Sequence, residues 1–421
     1  MNAKKTASKF IKKNFPALTH NDFRYFWTGQ CISLIGTWMQ NVGQSWLVYT
    51  LTDSPFLTGL IGAVQFLPVM VMSLFAGVII DKLPKKKIIM ITQATAMILA
   101  LIMAALVFTN TIRYWHIVII AFLLGCSNTI DMPARQTYMM EITGREDLMN
   151  AIALNSAVFN LARIIGPSIG GILLAYAGTG WCFLLNGISF IAVLYGLSRI
   201  KTKPYVRTVK SGTNILQEIK DGLRYIKGEI LLTKTLLMVT VVGIFVFNFS
   251  VLLPVLTKEP LHLDGKAYGA LMSSLGIGSL IGALIASGKG RKGPKYLVMF
   301  ESSISVSILF VLLGLSRTYL LIALILGVVG IFNIQFSTTA NSTIQINSSD
   351  EYRSRVMSVY TLLFSGVTPF GNLFAGYVSG KFGAPAAYII SGTIIFVLIV
   401  LINLFSKFKS RSLSNSGSAS A

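Results

Sequence analysis

The sequence predicts an all-α integral membrane protein with twelve transmembrane helices in two six-helix, pseudo-symmetric halves. Its composition is apolar: 53% of the 421 residues are hydrophobic and only 12% are charged, whereas soluble domains carry about 25% charged residues. A hydrocarbon core about 30 Å thick requires roughly 20 apolar residues per helix, and the chain contains about twelve such runs. The runs are continuous, which favours helices over the short, alternating strands of a membrane barrel.

The basic residues orient these helices. If the loops alternate between the two sides, 30 Lys and Arg residues fall on one side and 5 on the other, with Arg163 inside a span. The positive-inside rule then places both termini in the cytoplasm, and we expect a multi-pass plasma-membrane protein in contact with anionic lipids. In a soluble protein, the net charge of +21 would suggest a nucleic-acid partner. Here the basic residues lie at helix ends, where membrane topology explains them, so we expect no nucleic-acid partner.

Internal repetition indicates two matching halves. Gly166-Pro167 is matched by Thr368-Pro369, and Gly178 by Gly380, each at an offset of 202 residues. The predicted organisation is a cytoplasmic arm at 1–22, six-helix bundles at 23–199 and 235–406, a cytoplasmic linker with an amphipathic helix at 200–234, and a disordered cytoplasmic tail at 407–421.

The turn between spans two and three holds a run of charges. It includes Gly77, Asp81, Lys82, Lys85 and Lys86, and these charges mark the cytoplasmic surface because they cannot lie in hydrocarbon. The spacing resembles the corresponding loop of major facilitator superfamily transporters, although Pro84 stands where that family has glycine. The alternative is that the lysines are only topological anchors, which would leave the acid unexplained.

The resemblance implies that Asp81 holds an inner gate by pairing with groups near spans four and eleven. The partners available in this sequence are Asp131, Arg135, Arg353 and Arg355.

A second motif lies in span five, at Arg163, Gly166, Pro167, Gly170 and Gly171. Proline removes a backbone donor and clashes with the carbonyl four residues earlier, so the helix must bend there, and the glycines allow close packing at the bend. The run resembles the antiporter motif of superfamily exporters, with alanine in place of the first glycine, and so favours export over uptake. A simple Pro/Gly kink is the alternative.

Polar side chains within the spans are candidates for a substrate cavity, because amides in hydrocarbon must face protein or water. Span one carries a polar stripe beside Gly29, Gly36 and Gly43, which recur every seven residues and predict close contact with another helix. Interhelical hydrogen bonds are the alternative role of the stripe. The resemblance to major facilitator transporters implies that residues of spans seven and ten also line the substrate cavity. The candidate cavity residues are Gln30, Thr37, Asn41, Gln44, Phe245, Asn248, Asn333, Gln335 and Asn341.

Ionisable residues inside spans are functional candidates. Glu301 and Asp131 are possible proton sites, and the alternative for Glu301 is that its side chain reaches the nearby membrane surface. Arg163 has no carboxylate in its own span, so it either binds carbonyls freed by Pro167 or attracts an anionic substrate. The three cysteines lack metal-binding spacing, and no catalytic, metal or ATP-binding motif occurs.

Residues 21–30, 33–36 and 353–356 narrow the resemblance to exporters that include the enterobactin exporter and macrolide efflux proteins. It implies a monomeric, cofactor-free secondary transporter, not an enzyme. The expected activity is proton-coupled export of an amphiphilic drug or siderophore by alternating access in a bacterial inner membrane. Two alternatives stay open: a lipid or lysolipid flippase of the same fold, and a non-transporting membrane scaffold or sensor.

Overall fold

The computed structural model describes the backbone of residues 15–201, 223–289, 296–349 and 352–418. Side chains at 73–82, 145, 287–289, 354 and 406–418 lie outside the described set. All regular secondary structure in the described part is helical. After a 3-10 helix at Pro16–Thr19, the α-helices are α1 Asn21–Thr52, α2 Pro55–Lys82, α3 Lys85–Phe108, α4 Tyr114–Tyr176, α5 Thr179–Arg199, α6 Ile230–Phe245, α7 Phe249–Lys258, α8 Gly265–Lys289, α9 Tyr296–Leu315, α10 Tyr319–Asn347, α11 Arg353–Ser365 and α12 Thr368–Ser418.

Twelve membrane crossings fit these helices. Within the described residues, ten helical segments are long and apolar enough to cross a membrane. One of them, Arg355–Phe405, has 51 residues, which at about 1.5 Å per residue is enough for two crossings. The 32-residue helix α1 is not among the ten, although its length suffices, because its polar stripe lowers its hydropathy. The predicted all-α membrane fold is therefore confirmed.

Two turns between consecutive spans are reduced to single glycines. Gly144 divides α4 into its two spans at φ 73°, and Gly383 divides α12 at φ 82°. Glycine reaches this left-handed region at little cost because it has no Cβ. Helical backbone therefore continues almost to the joint on both sides of Gly144, and spans four and five are longer than the sequence predicted.

Span seven is broken, whereas the sequence predicted one continuous helix. Helix α6 ends at Phe245 and α7 begins at Phe249. At the break, Asn248 Nδ2 donates to Ile244 O at 2.7 Å, a carbonyl that a backbone N–H would occupy in a continuous helix. Gly371 packs here, because a Cβ on it would lie 2.8 Å from Asn248 Oδ1. The break lies inside a continuous apolar run, so it could not be predicted from the sequence.

The chain forms two compact units. Unit 1 comprises Met1–Asp53, Val64–Lys210 and Asp264–Ser273, and unit 2 comprises Ser54–Ala63, Ser211–Leu263 and Ser274–Ala421. Each unit takes most of its residues from one half of the sequence, and each also includes a short segment from the other half. The amphipathic helix predicted in the linker falls mostly on residues 202–222, outside the described residues.

The cytoplasmic arm, where it is described, packs on unit 1. Ala17 is fully buried, and its N–H donates to Asn150 Oδ1 at 3.2 Å. His20 Nε2 lies 2.8 Å from Asp147 Oδ2. Beneath these contacts, Phe26 meets Tyr138 edge to face, with ring centroids 5.8 Å apart. This end of unit 1 therefore has its own apolar core.

The helical backbone of α12 continues to Ser418, and the disordered cytoplasmic tail at 407–421 stays a prediction. The sequence between Phe405 and Gly417 contains no proline or glycine that would stop a helix.

Candidate functional site

The charged turn is only partly described. Gly77, Asp81 and Lys82 belong to the helical end of α2, where side chains fall outside the described residues. Lys86 Nζ donates to Ile200 O at 2.8 Å, which ties the start of α3 to the end of α5. The side chain of Lys87 is exposed. Among the lysines of the turn whose side chains are described, Lys86 is therefore tied to a backbone carbonyl, whereas Lys87 is exposed and can meet lipid headgroups.

Lys85 is the buried cation of this turn. Its side chain is only 2% exposed, and its Nζ lies 3.7 Å from Oε1 of Glu141, whose side chain is 7% exposed. Burying a charge is costly unless an opposite charge is close. The pairing of Lys85 with Glu141 therefore lowers the free-energy cost of burying both side chains. Glu141 is not predictable from the sequence as the partner of Lys85, because it lies on a different helix far along the chain.

Asp131 is the centre of a polar cluster in unit 1. Arg135 Nε donates to Asp131 Oδ2 at 2.5 Å. The other carboxylate oxygen accepts hydrogen bonds from Thr92 Oγ1 at 2.5 Å and Gln93 Nε2 at 3.2 Å. Both carboxylate oxygens are thus satisfied inside α3 and α4. Two of the predicted gate partners, Asp131 and Arg135, therefore pair with each other one helical turn apart.

The other two predicted gate partners lie at the start of α11, in unit 2. Arg353 donates to Gln345 O at 3.0 Å and to Ser348 O at 3.3 Å, so it holds the carbonyl-rich end of α10. The guanidinium of Arg355 lies 5.3 Å from the ring centroid of Tyr352. These contacts place both arginines at a helix junction, where cations complement exposed carbonyls.

The glycines of the span-five motif allow backbone contacts. A Cβ on Gly166 would lie 2.7 Å from Ile35 O and 2.5 Å from Trp38 Cβ, both on α1. Gly170 also faces α1, at Met39. A Cβ on Gly171 would instead lie 2.8 Å from the Cα of Gly269, in the part of α8 that belongs to unit 1. Three glycines of this motif therefore seat α4 against two different helices.

Beside the proline, hydroxyl groups take up a backbone carbonyl. Ser168 Oγ donates to Ile164 O at 2.9 Å and lies 2.7 Å from Ser273 Oγ. Arg163 does not perform this role. Its guanidinium lies 5.1 Å from the ring centroid of Trp38 and 5.4 Å from that of Phe159.

The polar stripe of α1 has mixed surroundings. Gln44 Nε2 donates to Gln65 Oε1 on α2 at 3.2 Å, so the interhelical alternative applies there. Thr37 donates to Ser33 O of its own helix. Gln30 is buried, and its Oε1 has no hydrogen-bond partner among the described residues. Asn41 is partly buried. Gln44 Oε1 is likewise buried without a hydrogen-bond partner among the described residues. Buried acceptors without a partner call for an explanation, and both glutamines could accept a hydrogen bond from a ligand.

In unit 2, the predicted residues of span seven lie among aromatic rings. Phe245 meets Phe374 at 5.1 Å, and Phe247 meets Phe364 at 5.0 Å, both edge to face. Phe364 also stacks on Tyr360 at 5.4 Å. The three rings contributed by α11 and α12 were not predicted from the sequence. A regular spacing of aromatic residues in those spans would have been the signal, but none is present.

Amide groups accompany these rings in unit 2. Asn248 and Asn333 are buried, and the Oδ1 atom of each has no partner among the described residues. Asn341 accepts from Gln345 Nε2 at 2.5 Å, and Gln335 is partly buried. Aromatic faces beside unpartnered acceptors are the usual composition of a small-molecule site.

Glu301 lies in the second turn of α9 and is exposed. About 8 Å of helix separates it from the start of α9, so its carboxylate is within reach of that helix end. This placement fits the surface alternative as well as a proton site.

The match to a family model decides the classification. The model for transmembrane secretion effectors, a family of major facilitator transporters, matches residues 12–420. The chain belongs to this family. The transporter is 28% identical over 376 residues to the staphyloferrin A transporter of Staphylococcus aureus, covering 88% of this chain and 92% of that protein. It is 24% identical to the multidrug efflux pump Tap of Mycolicibacterium fortuitum, with 82% and 86% of the two chains covered.

Three further comparisons extend the likeness. Macrolide efflux protein A of Streptococcus pyogenes is 20% identical to this transporter, with 92% and 96% of the chains covered. The solved structure of the nucleoside transporter NupG has a TM-score of 0.73 at 13% identity, covering 91% of this chain and 98% of that one. A bacterial homologue of the lysosomal transporter Spinster has a TM-score of 0.71 at 14% identity, covering 93% and 96%. These structures share the major facilitator fold. The protein is thus a membrane transporter of the major facilitator superfamily and not an enzyme.

Proposed function

We propose that this transporter exports an amphiphilic small molecule of the drug or siderophore class by proton-coupled alternating access. The observation that carries the proposal is the span-five motif: Gly166 and Gly170 seat the segment around Pro167 on α1, while Gly171 meets Gly269 of α8. The family motif it resembles is typical of exporters. The printed names of two relatives, a multidrug efflux pump and a macrolide efflux protein, support export.

The proposed orientation follows from the charges. Both termini lie in the cytoplasm of a bacterial cell, and the turn at Lys85–Lys87 faces the cytoplasm. The protein acts as a monomer without a cofactor. Protons are the coupling ion, and Asp131 and Glu301 are the proposed proton sites. The proposed substrate contacts offer amide oxygens and aromatic faces; they are Gln30, Thr37, Asn41, Gln44, Phe245, Asn248, Asn333, Gln335 and Asn341.

Inverted membrane vesicles test this function, because an exported compound accumulates inside them. A panel of fluorescent amphiphiles is screened with a proton gradient and again after an uncoupler. We expect gradient-dependent accumulation of at least one compound, and Asp81→Asn should reduce its initial rate by about tenfold or more, since a charge-assisted contact is worth about 1.5–3 kcal/mol.

Lys87→Gln is the matched control, because Lys87 lies in the same turn with an exposed side chain; it should retain the wild-type rate at equal expression. Equal accumulation with and without the gradient would contradict proton coupling. If labelled lysolipid were moved but no drug-like compound were, the flippase alternative would replace the proposal. No transport by wild type, with Asp81→Asn indistinguishable from it, would favour the scaffold or sensor.

A further inference from the structure

The position of Arg163 requires an explanation that the span-five motif alone does not provide. The span that contains it runs from Glu146 to Tyr176, and Arg163 lies within one turn of its centre. At about 1.5 Å per residue, the helix ends are about 25 Å and 20 Å away. An arginine side chain is too short to reach either membrane surface from there. Its guanidinium therefore faces protein or a water-filled space and not hydrocarbon.

No acid neutralises this cation in the described part of the chain. The described ion pairs join His20 with Asp147, Lys85 with Glu141, and Arg135 with Asp131. None of them includes Arg163. A buried charge is ordinarily paired or hydrogen-bonded, so a partner from outside the protein is the natural complement to this group.

The surroundings of Arg163 define that partner. The rings of Trp38 and Phe159 meet edge to face, with centroids 5.6 Å apart, and both lie within 5.4 Å of the guanidinium carbon. Cation–π contacts attract the charge, but they leave the planar N–H donors free for an oxygen acceptor. A planar guanidinium binds a carboxylate or phosphate through two parallel hydrogen bonds, while aromatic faces accept an apolar body.

Close packing fixes this arrangement. Trp38 is held by Gly166, because a Cβ at that position would lie 2.5 Å from the Trp38 Cβ. The glycine that begins the antiporter-like segment therefore also sets the distance between the tryptophan and the arginine. Preorganised donors of this kind bind more tightly than mobile ones because less entropy is lost.

We infer that Arg163, Trp38 and Phe159 form an oxyanion-recognition site, so that the exported molecule is an amphiphile carrying a carboxylate or phosphate group. This inference rests on the proposed export function, because it names the substrate class of that transporter. The oxyanion binds Arg163, and the apolar part of the molecule lies against the two rings.

Binding to the purified full-length protein in detergent tests the site. The probes are N-dansyl-leucine, which carries a carboxylate, and its methyl ester, which is neutral; energy transfer from tryptophan to the dansyl group reports binding. We expect wild type to bind the carboxylate more tightly than the ester. Arg163→Gln should weaken carboxylate binding by about 10- to 100-fold, since a hydrogen bond to a charged group is lost, and should leave ester binding within about twofold.

Two other variants separate charge from packing. Arg199→Gln removes an exposed cation at the end of α5 in the same unit, and it should bind both probes as wild type does. Arg163→Lys keeps the charge and should retain part of the carboxylate preference, which also covers the case in which Arg163→Gln does not fold. Equal weakening of both probes by Arg163→Gln would assign Arg163 a packing role and overturn the inference. So would a wild-type protein that does not distinguish acid from ester.

Competition identifies the source of the oxyanion. Displacement of the carboxylate probe by lysophosphatidylglycerol, but not by the zwitterionic lysophosphatidylcholine, would extend the site to an anionic lipid headgroup. Displacement by neither lysolipid would restrict the site to free carboxylates. In both cases, binding at the site requires an oxyanion on the ligand. Because these measurements need no gradient, acid-selective binding without export would refute the proposed function alone. Export without acid selectivity would refute only this inference.

Discussion

Replacing Gly278 of α8 with alanine is expected to lower the free energy of unfolding by about 3 kcal/mol or more. The added Cβ would overlap the carbonyl oxygen of Gly327 on α10 and lie 3.0 Å from the Cα of that residue. Backbone atoms cannot turn away as a flexible side chain can, so the two helices must separate. The gain in helix propensity from glycine to alanine, about 1 kcal/mol, is smaller than this cost.

Gly327→Ala is the matched control, because its Cβ would meet only Ser274 O at 3.7 Å, an ordinary contact. Thermal unfolding of the purified proteins in detergent, followed by tryptophan fluorescence, compares the two. Gly327→Ala should equal or exceed wild type in midpoint temperature while Gly278→Ala falls well below it. Equal midpoints for the two variants would show that α8 and α10 do not pack as described.

Glu141→Gln is expected to cost about 3–5 kcal/mol of stability, because it removes the carboxylate that lies 3.7 Å from Nζ of the buried Lys85. The variant keeps almost the same shape, so packing changes contribute little. Glu146 is an exposed acid after the Gly144 joint, so Glu146→Gln should change the free energy of unfolding by about 0.5 kcal/mol or less.

The double variant Lys85→Met with Glu141→Leu separates pairing from burial. Buried ion pairs replaced by apolar residues of similar volume are often neutral or stabilising. We therefore expect the double variant to be more stable than Glu141→Gln and close to wild type. A double variant as unstable as the sum of its two single variants would contradict direct coupling between Lys85 and Glu141.

The sequence predicts the parts of the fold that depend on local pattern. Gly29, Gly36 and Gly43 recur every seven residues, and the close contact they predict is confirmed. The contact is with α5: Cβ atoms added to them would lie 2.7, 2.5 and 2.8 Å from Ala192 O, Asn186 Oδ1 and Cys182 Cβ. Small residues on one helical face allow such an approach whatever the partner. The identity of that partner could not be read from α1 alone.

Contacts between distant residues left no comparable signal. The lysines of the charged turn all read as surface cations, yet Lys85 is buried because Glu141 meets it from α4. Likewise the break at Asn248 lies inside a continuous apolar run, and it depends on a side-chain amide taking one carbonyl and on Gly371 packing beside it. Both features arise from tertiary contacts, which periodicity does not encode.

The most direct test of proton-coupled export uses the purified protein in proteoliposomes with an imposed pH gradient. The interior is made acidic, and an external fluorescent compound identified in the vesicle screen is followed over time in the fraction of molecules that lie inside-out. We expect the compound to concentrate inside against its own gradient, and the accumulated compound to leave when nigericin collapses the pH difference. A compound that only equilibrates across the membrane, at the same rate with and without the pH gradient, would contradict the account.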